Sequence, residues 1–391
     1  MKAGLLWPFL ACLLLPLAAA WFAWPDTHLP PGFGIFPPAQ VPGVPGFNLL
    51  VFCVLATLCA GIAALILFPR WFGFRPATPE PPAPRVALPF WFWVGTVLTL
   101  FFWWLMWSRV TLFGTLVYYA FTPLWWGFIL MLDGLVYHRN NGRSLLASRP
   151  RTFVISALVS VAGWCFFEYF NYFVLSNWYY PYGHMAALPH VTIVVLFMLA
   201  YTTVWPAVLE WVALLYTFPR FVARYRLGPA IVPPASLMLW GGLALIVLTV
   251  FFPYPLFWAM WVGPLSVLTG QLLRKNIWTP LTPMRQGDWS AVMIAALASL
   301  GNGLFWEFWN HGSESPNPFS WIVPPFPTNP NFWIYDVPYV NVIHLYSEMP
   351  LLGYFGYLPF GILVWIFFIW SGKLFGFDPD LGLDESTQRH P

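Results

Sequence analysis

The chain has 391 residues, of which 59% are hydrophobic and only 8% charged, and its mean hydropathy is +0.68. This composition excludes a water-soluble globular domain. The formal net charge of +3 is scattered among loops, which excludes a nucleic-acid surface. The four cysteines (Cys12, Cys53, Cys59, Cys165) lie inside apolar runs with no Cys-x-x-Cys pair, so neither disulfides nor a thiolate metal site is expected.

In chain order, ten apolar runs suit membrane spans: 4–24, 47–68, 89–108, 112–137, 152–175, 190–217, 235–252, 255–273, 290–309 and 342–371. A bilayer offers the backbone no partners, so spans must be helices or a closed barrel, and the roughly ten-residue alternation of a barrel is absent. The expected class is an all-α polytopic membrane protein. The first run, MKAGLLWPFLACLLLPLAAAW, also has the basic start and small-residue end of a signal peptide, but its apolar core is long for one and reads as a retained helix.

Basic residues fall in every second loop. Lys2 precedes the first run; Arg70, Arg75 and Arg85 follow the second; Arg139, Arg143, Arg149 and Arg151 follow the fourth. Arg220, Arg224 and Arg226 follow the sixth, Arg274, Lys275 and Arg285 the eighth, and Lys373 and Arg389 the tenth, whereas the alternate loops hold only Arg109. The positive-inside rule then puts both termini in the cytoplasm, and the composition suggests a bacterial inner membrane.

Prolines concentrate in an outer loop, PDTHLPPGFGIFPPAQVPGVPG (25–46), and in an inner linker, FRPATPEPPAPRVALP (74–89). The expected units are two leading helices (1–73), a linker (74–88), repeat 1 (89–226), repeat 2 (227–373) with a long outer loop at 312–341, and a tail (374–391). The duplication rests on two matches: 121–137 with 262–278, and SALVSVAGWCFFEYFNYF (156–173) with AALASLGNGLFWEFWNHG (295–312). Each copy of the second match contains a Glu-x-x-Asn, Glu168–Asn171 and Glu307–Asn310. Four spans per unit give both copies the same orientation, hence a parallel repeat about an axis along the membrane normal.

Glu168, Asn171, Glu307, Asn310, His311, His344 and Glu348 are all expected near the outer surface. Glu307 with His311, and His344 with Glu348, are spaced i, i+4, so each pair is expected on one helical face. Burying one charge costs about 2.5–3.5 kcal/mol, so several at one depth imply a shared outward-facing pocket. Trp306 and Trp178 are candidate walls, although Trp178, Tyr179 and Tyr180 also read as interfacial aromatics. Asp133 reads as an inner headgroup residue, and Glu210 as a packing group.

Burial favours the neutral form of a carboxylic acid, which makes Glu307, Glu168 and Glu348 candidate catalytic acids, with Asn171 and Asn310 orienting them. Protonating an alkene makes a carbocation that aromatic faces stabilise, so an isoprenoid-like lipid is the expected substrate. The segments WYYPYGHMAALPH (178–190) and FWIYDVPYVNVIHLYSEMPLLGYF (332–355) resemble the internally repeated membrane lycopene cyclases of the heterodimeric or fused type. The resemblance implies an all-helical fold, proton-initiated cyclisation and a role for Glu348. The Pro-x-Glu-Glu motif of those proteins is missing, and Ser347-Glu348-Met349-Pro350 stands in its place. A zinc or iron enzyme using His311 and His344, a transporter, and a structural subunit of a membrane complex are the alternatives.

Overall fold

In the computed structural model, residues 2–316 and 326–382 are described. Residues 317–325 of the expected outer loop, and the tail beyond 382 with Arg389, lie outside them. Thirteen helices fall among the described residues: α1 Lys2–Ala23, α2 Leu49–Leu67, α3 Phe90–Ser108, α4 Phe121–Arg139, α5 Leu145–Ser148, α6 Pro150–Phe173, α7 His190–Tyr201, α8 Val204–Tyr216, α9 Pro219–Ala223, α10 Ala235–Phe251, α11 Ala259–Arg274, α12 Ser290–Gly312 and α13 Tyr357–Phe375. Two short strands, β1 Trp178–Tyr179 and β2 Ile334–Tyr335, pair antiparallel with Trp178 opposite Tyr335.

Local chemistry explains several boundaries. Asn48 Oδ1 accepts from Val51 N at 3.1 Å and caps α2. Pro150 and Pro219 stand where a first helical N–H would go unused. Gly376 takes the left-handed conformation that ends α13. Pro206 removes a donor from the turn that joins α7 and α8, so the chain breaks at 202–203; Ser160 Oγ accepts Trp205 N at 2.9 Å and donates to the Tyr201 carbonyl.

Among the described residues, seven helices, counting His190–Tyr216 as one broken helix, are long and apolar enough to cross a membrane, and an eighth if the bent pair Leu112–Tyr119 and Phe121–Arg139 is one span. The protein is therefore an all-helical, multi-pass integral membrane protein. α10 and α11 occupy the seventh and eighth expected runs at 17 and 16 residues, shorter than the roughly 20 residues a full span takes. The tenth run differs more. Residues 341–350 form turns, and helix begins only at Leu351. Pro350 keeps Met349 out of helical geometry, whereas Pro359 sits in the first turn of α13, where it costs no hydrogen bond.

Two helix pairs pack through glycine. A side chain on Gly95 of α3 would lie 2.5 Å from the Gly127 carbonyl of α4, and one on Gly134 would strike Phe92. In the same pattern, Gly242 of α10 faces the Gly263 carbonyl of α11 at 2.8 Å, and Gly270 faces Leu239. Both approaches need a bare Cα. α1 lies against α10, α11 and α13, with Trp370 Nε1 donating to the Leu5 carbonyl at 2.9 Å, rather than forming a unit with α2. α2 buries only Cys59, so its apolar surface is left for lipid. The linker is laid along the body: Arg75 N donates to Leu227 O, Val86 N to His138 O, and Glu80 pairs with Arg226 at 2.7 Å.

Candidate functional site

α6 and α12 each end on the Glu-x-x-Asn sequence. In both, the asparagine clamps the backbone of a tryptophan. Asn171 Nδ2 donates to the Trp178 carbonyl at 2.8 Å and its Oδ1 lies 3.5 Å from Trp178 N. Asn310 Nδ2 donates to the Trp333 carbonyl at 2.8 Å and its Oδ1 accepts Trp333 N at 3.1 Å. Two residues after each tryptophan, a tyrosine reaches back to the glutamate: Tyr180 Oη donates to Glu168 Oε1 at 2.5 Å, and Tyr335 Oη to Glu307 Oε1 at 2.8 Å. A second tyrosine arrives from the following helical segment, Tyr201 on Glu168 at 2.9 Å and Tyr357 on Glu307 at 2.5 Å. Burial, and then the adjacent glutamate, pushes the Tyr180 and Tyr335 hydroxyls well above the ordinary phenol range, so both act as donors.

The two sites differ at their edges. Trp164 Nε1 at 3.0 Å and Trp178 Nε1 at 3.4 Å also point at Glu168 Oε1. Glu168 Oε2 is enclosed and has no partner among the described residues. At Glu307, Oε2 instead accepts from Ser347 Oγ at 3.3 Å. Glu168, Glu307, Asn171 and Asn310 are all buried, and aromatic rings stand between the two halves: Trp164 lies 6.5 Å from Trp306 and 6.0 Å from Phe360, centroid to centroid.

Each glutamate thus has its own cradle, and the two cradles adjoin where Trp178 pairs with Tyr335. Glu307 and His311 do lie on one helix, but they engage different partners. His311 Nδ1 lies 2.8 Å from Glu348 Oε1, and Asn310 Nδ2 donates to Glu348 Oε2 at 3.2 Å. Glu314, two residues past α12, joins them: single donor atoms of His311, Glu314 and Glu348 all lie within 4.8 Å of one another. Burial and Glu348 push the Glu314 carboxyl upward, while His311 and Arg109 pull it down. Arg109 is fully buried beside this cluster and donates to the Ser313 carbonyl at 3.2 Å.

His344 is not part of this cluster. It is exposed and bonded to Asn341 Oδ1 at 3.0 Å, and it shares no helical face with Glu348 because residues 341–350 are turns. Trp178 and Tyr180 are buried within the protein, with polar atoms engaged by Glu168 and Asn171. Asp133 is also fully buried, taking N–H or O–H from Trp91, Ser144 and Leu146, each at 2.9 Å, and meeting Glu210 across α4 and α8. Trp306 is buried and packs on Trp125 and Tyr357 at 5.6 and 5.9 Å.

Sequence reasoning missed Tyr201, Tyr335, Tyr357 and Glu314. A signal was present. The triplets Trp178-Tyr179-Tyr180 and Trp333-Ile334-Tyr335 recur in the two halves, but they follow their asparagines at unequal distances. No protein family, curated protein or solved structure matches this chain.

Proposed function

We propose that this chain is an intramembrane enzyme acting on a hydrophobic, isoprenoid-like lipid, with Glu168 and Glu307 as equivalent acids in a ten-span protein whose core duplicates a four-helix unit. The observation that carries the reading is the repeated cradle. A glutamate, a clamped tryptophan and two converging tyrosines occur twice, with aromatic rings between them. The antiparallel contact of the two Trp-x-Tyr segments is what a two-fold axis between halves requires, and it supports a parallel repeat over 89–226 and 227–373. The glycine contacts support it as well, in a shifted register: Gly127 matches Gly263 where the sequence had matched Leu268. The basic loops support cytoplasmic termini in a bacterial inner membrane.

In this chemistry a glutamic acid gives its proton to an alkene carbon, and aromatic faces hold the resulting cation. The carboxylate then recovers a proton from the neighbouring carbon. Asn171 and Asn310 act by positioning Trp178 and Trp333, and through them Tyr180 and Tyr335. The test is a comparison of lipid extracts from cells making the wild type, Glu168→Gln, Glu307→Gln or the double variant. A neutral lipid that accumulates in the double variant, with the protein still folded, is the expected result. Identical extracts from all four would overturn the proposal.

A second reading, a zinc or iron enzyme, is favoured by the imidazole and two carboxylates of His311, Glu314 and Glu348. Elemental analysis of the purified protein decides it. Bound metal is expected to disappear in Glu314→Ala and survive in His344→Ala; a metal-free wild type would end this reading.

A further inference from the structure

A cavity of about 540 Å³ lies at the opposite end of the molecule from the glutamate cradles. The direction of α2 fixes that placement: Asn48, at its start, donates its backbone N–H to Tyr339 near the cradles, and Leu67, at its end, lines the cavity. Four guanidinium-bearing residues line it, Arg70, Arg75, Arg220 and Arg224, and no carboxylate does. None of the four is in an ion pair among the described residues. Glu80, the acid of the same linker, is engaged by Arg226 at 2.7 Å.

The surroundings define what fits. Arginine forks match phosphate oxygens two at a time. Phe68 and Trp71, stacked at 4.5 Å on the cavity rim, expose large aromatic surface, with Trp71 74% exposed, as side chains at a membrane interface do. Directly beyond them runs α2, apolar and unburied along nearly its whole length. A charged cavity at a headgroup depth, continuous with a bare apolar helix, suits a molecule with a phosphate at one end and hydrocarbon at the other.

We propose that this cavity is a binding site for an anionic phospholipid, its phosphate held by Arg70, Arg75, Arg220 and Arg224 and its acyl chains lying along α2. Topology alone accounts for basic loops on one side of a membrane. It does not account for four arginines converging on one cavity from two distant segments, 67–79 and 220–224, with every acid kept out. Attraction of about fivefold per basic residue near an anionic surface puts the combined effect of four on the order of several hundredfold.

The test uses the full-length protein, delipidated in neutral detergent, with lipid retention read by native mass spectrometry. Phosphatidylglycerol is expected to remain bound to the wild type and phosphatidylcholine is not, and millimolar inorganic phosphate is expected to leave the bound phosphatidylglycerol in place. The Arg70→Gln, Arg75→Gln double variant should bind phosphatidylglycerol on the order of twentyfold more weakly. The full quadruple variant should not bind it at all. A control with the same loss of charge elsewhere, Arg143→Gln with Arg285→Gln, should bind like the wild type. Equal weakening in the control would reduce the effect to general electrostatics and overturn the site, as would undiminished binding in the variant of Arg70 and Arg75, both exposed residues. Displacement by free phosphate would reassign the cavity to a soluble anion.

Discussion

Asn171 and Asn310 do the same work in different surroundings, and the difference sets the cost of losing each. Asn171 serves a Trp178 that is buried, so removing its side chain strands a carbonyl and weakens the hold on an amide in a place water does not reach. Trp333 is only half-buried, and solvent can replace part of what Asn310 provides. Each stranded buried group costs about 1–3 kcal/mol. Asn171→Ala should therefore destabilise more than Asn310→Ala, measured by thermal unfolding in detergent; the reverse order would show that the Glu348 contact, and not the clamp, dominates at Asn310. The tyrosines should be milder. Tyr335→Phe removes one donor from Glu307 and leaves Tyr357, for a loss of about 1 kcal/mol on the same scale.

Helix pairing follows from where the chain keeps a bare Cα. A methyl on Gly95 meets the backbone carbonyl of Gly127 at 2.5 Å, and backbone cannot swing aside as a side chain can. Gly95→Ala should force α3 and α4 apart at about 1–3 kcal/mol. Gly61, in α2, has nothing within 4 Å of an added methyl, so Gly61→Ala should be neutral or stabilise by up to about 1 kcal/mol through helix propensity. Comparing the two melting curves separates close helix packing from mere helix content. Equal effects would mean that the Gly95–Gly127 contact does not hold the pair together. Gly242 and Gly263 should behave like the first pair.

For the whole molecule, the proposed ten-span topology predicts residues 34 and 341 on one side of the membrane and residues 143 and 285 on the other. All four positions are exposed. Gly34→Cys and Asn341→Cys should react with a membrane-impermeant thiol reagent on intact cells, and Arg143→Cys and Arg285→Cys only after lysis. Labelling of Asn341→Cys and Arg143→Cys from the same side would remove one of the spans between them. α10 and α11 are both shorter than a usual span, and the loss of either one alone would bring residues 143 and 341 to the same side.

Features that depend on local composition and period were legible in the chain alone. Apolar runs require helices in a membrane, prolines mark the breaks, and the Glu-x-x-Asn spacing puts both polar side chains on one helical face, as found at Glu168–Asn171 and Glu307–Asn310. Which groups meet was set by the packing of the folded chain. Tyr180 and Tyr335 lie 12 and 28 residues from the glutamates they serve, separations that no helical periodicity encodes. His344 and Glu348 look like a helical pair by spacing, yet Pro350 and the turns before it separate them, and Glu348 is delivered instead to His311 and Glu314. Spacing controls partners only where the backbone is regular; elsewhere the packing of the helices chooses them.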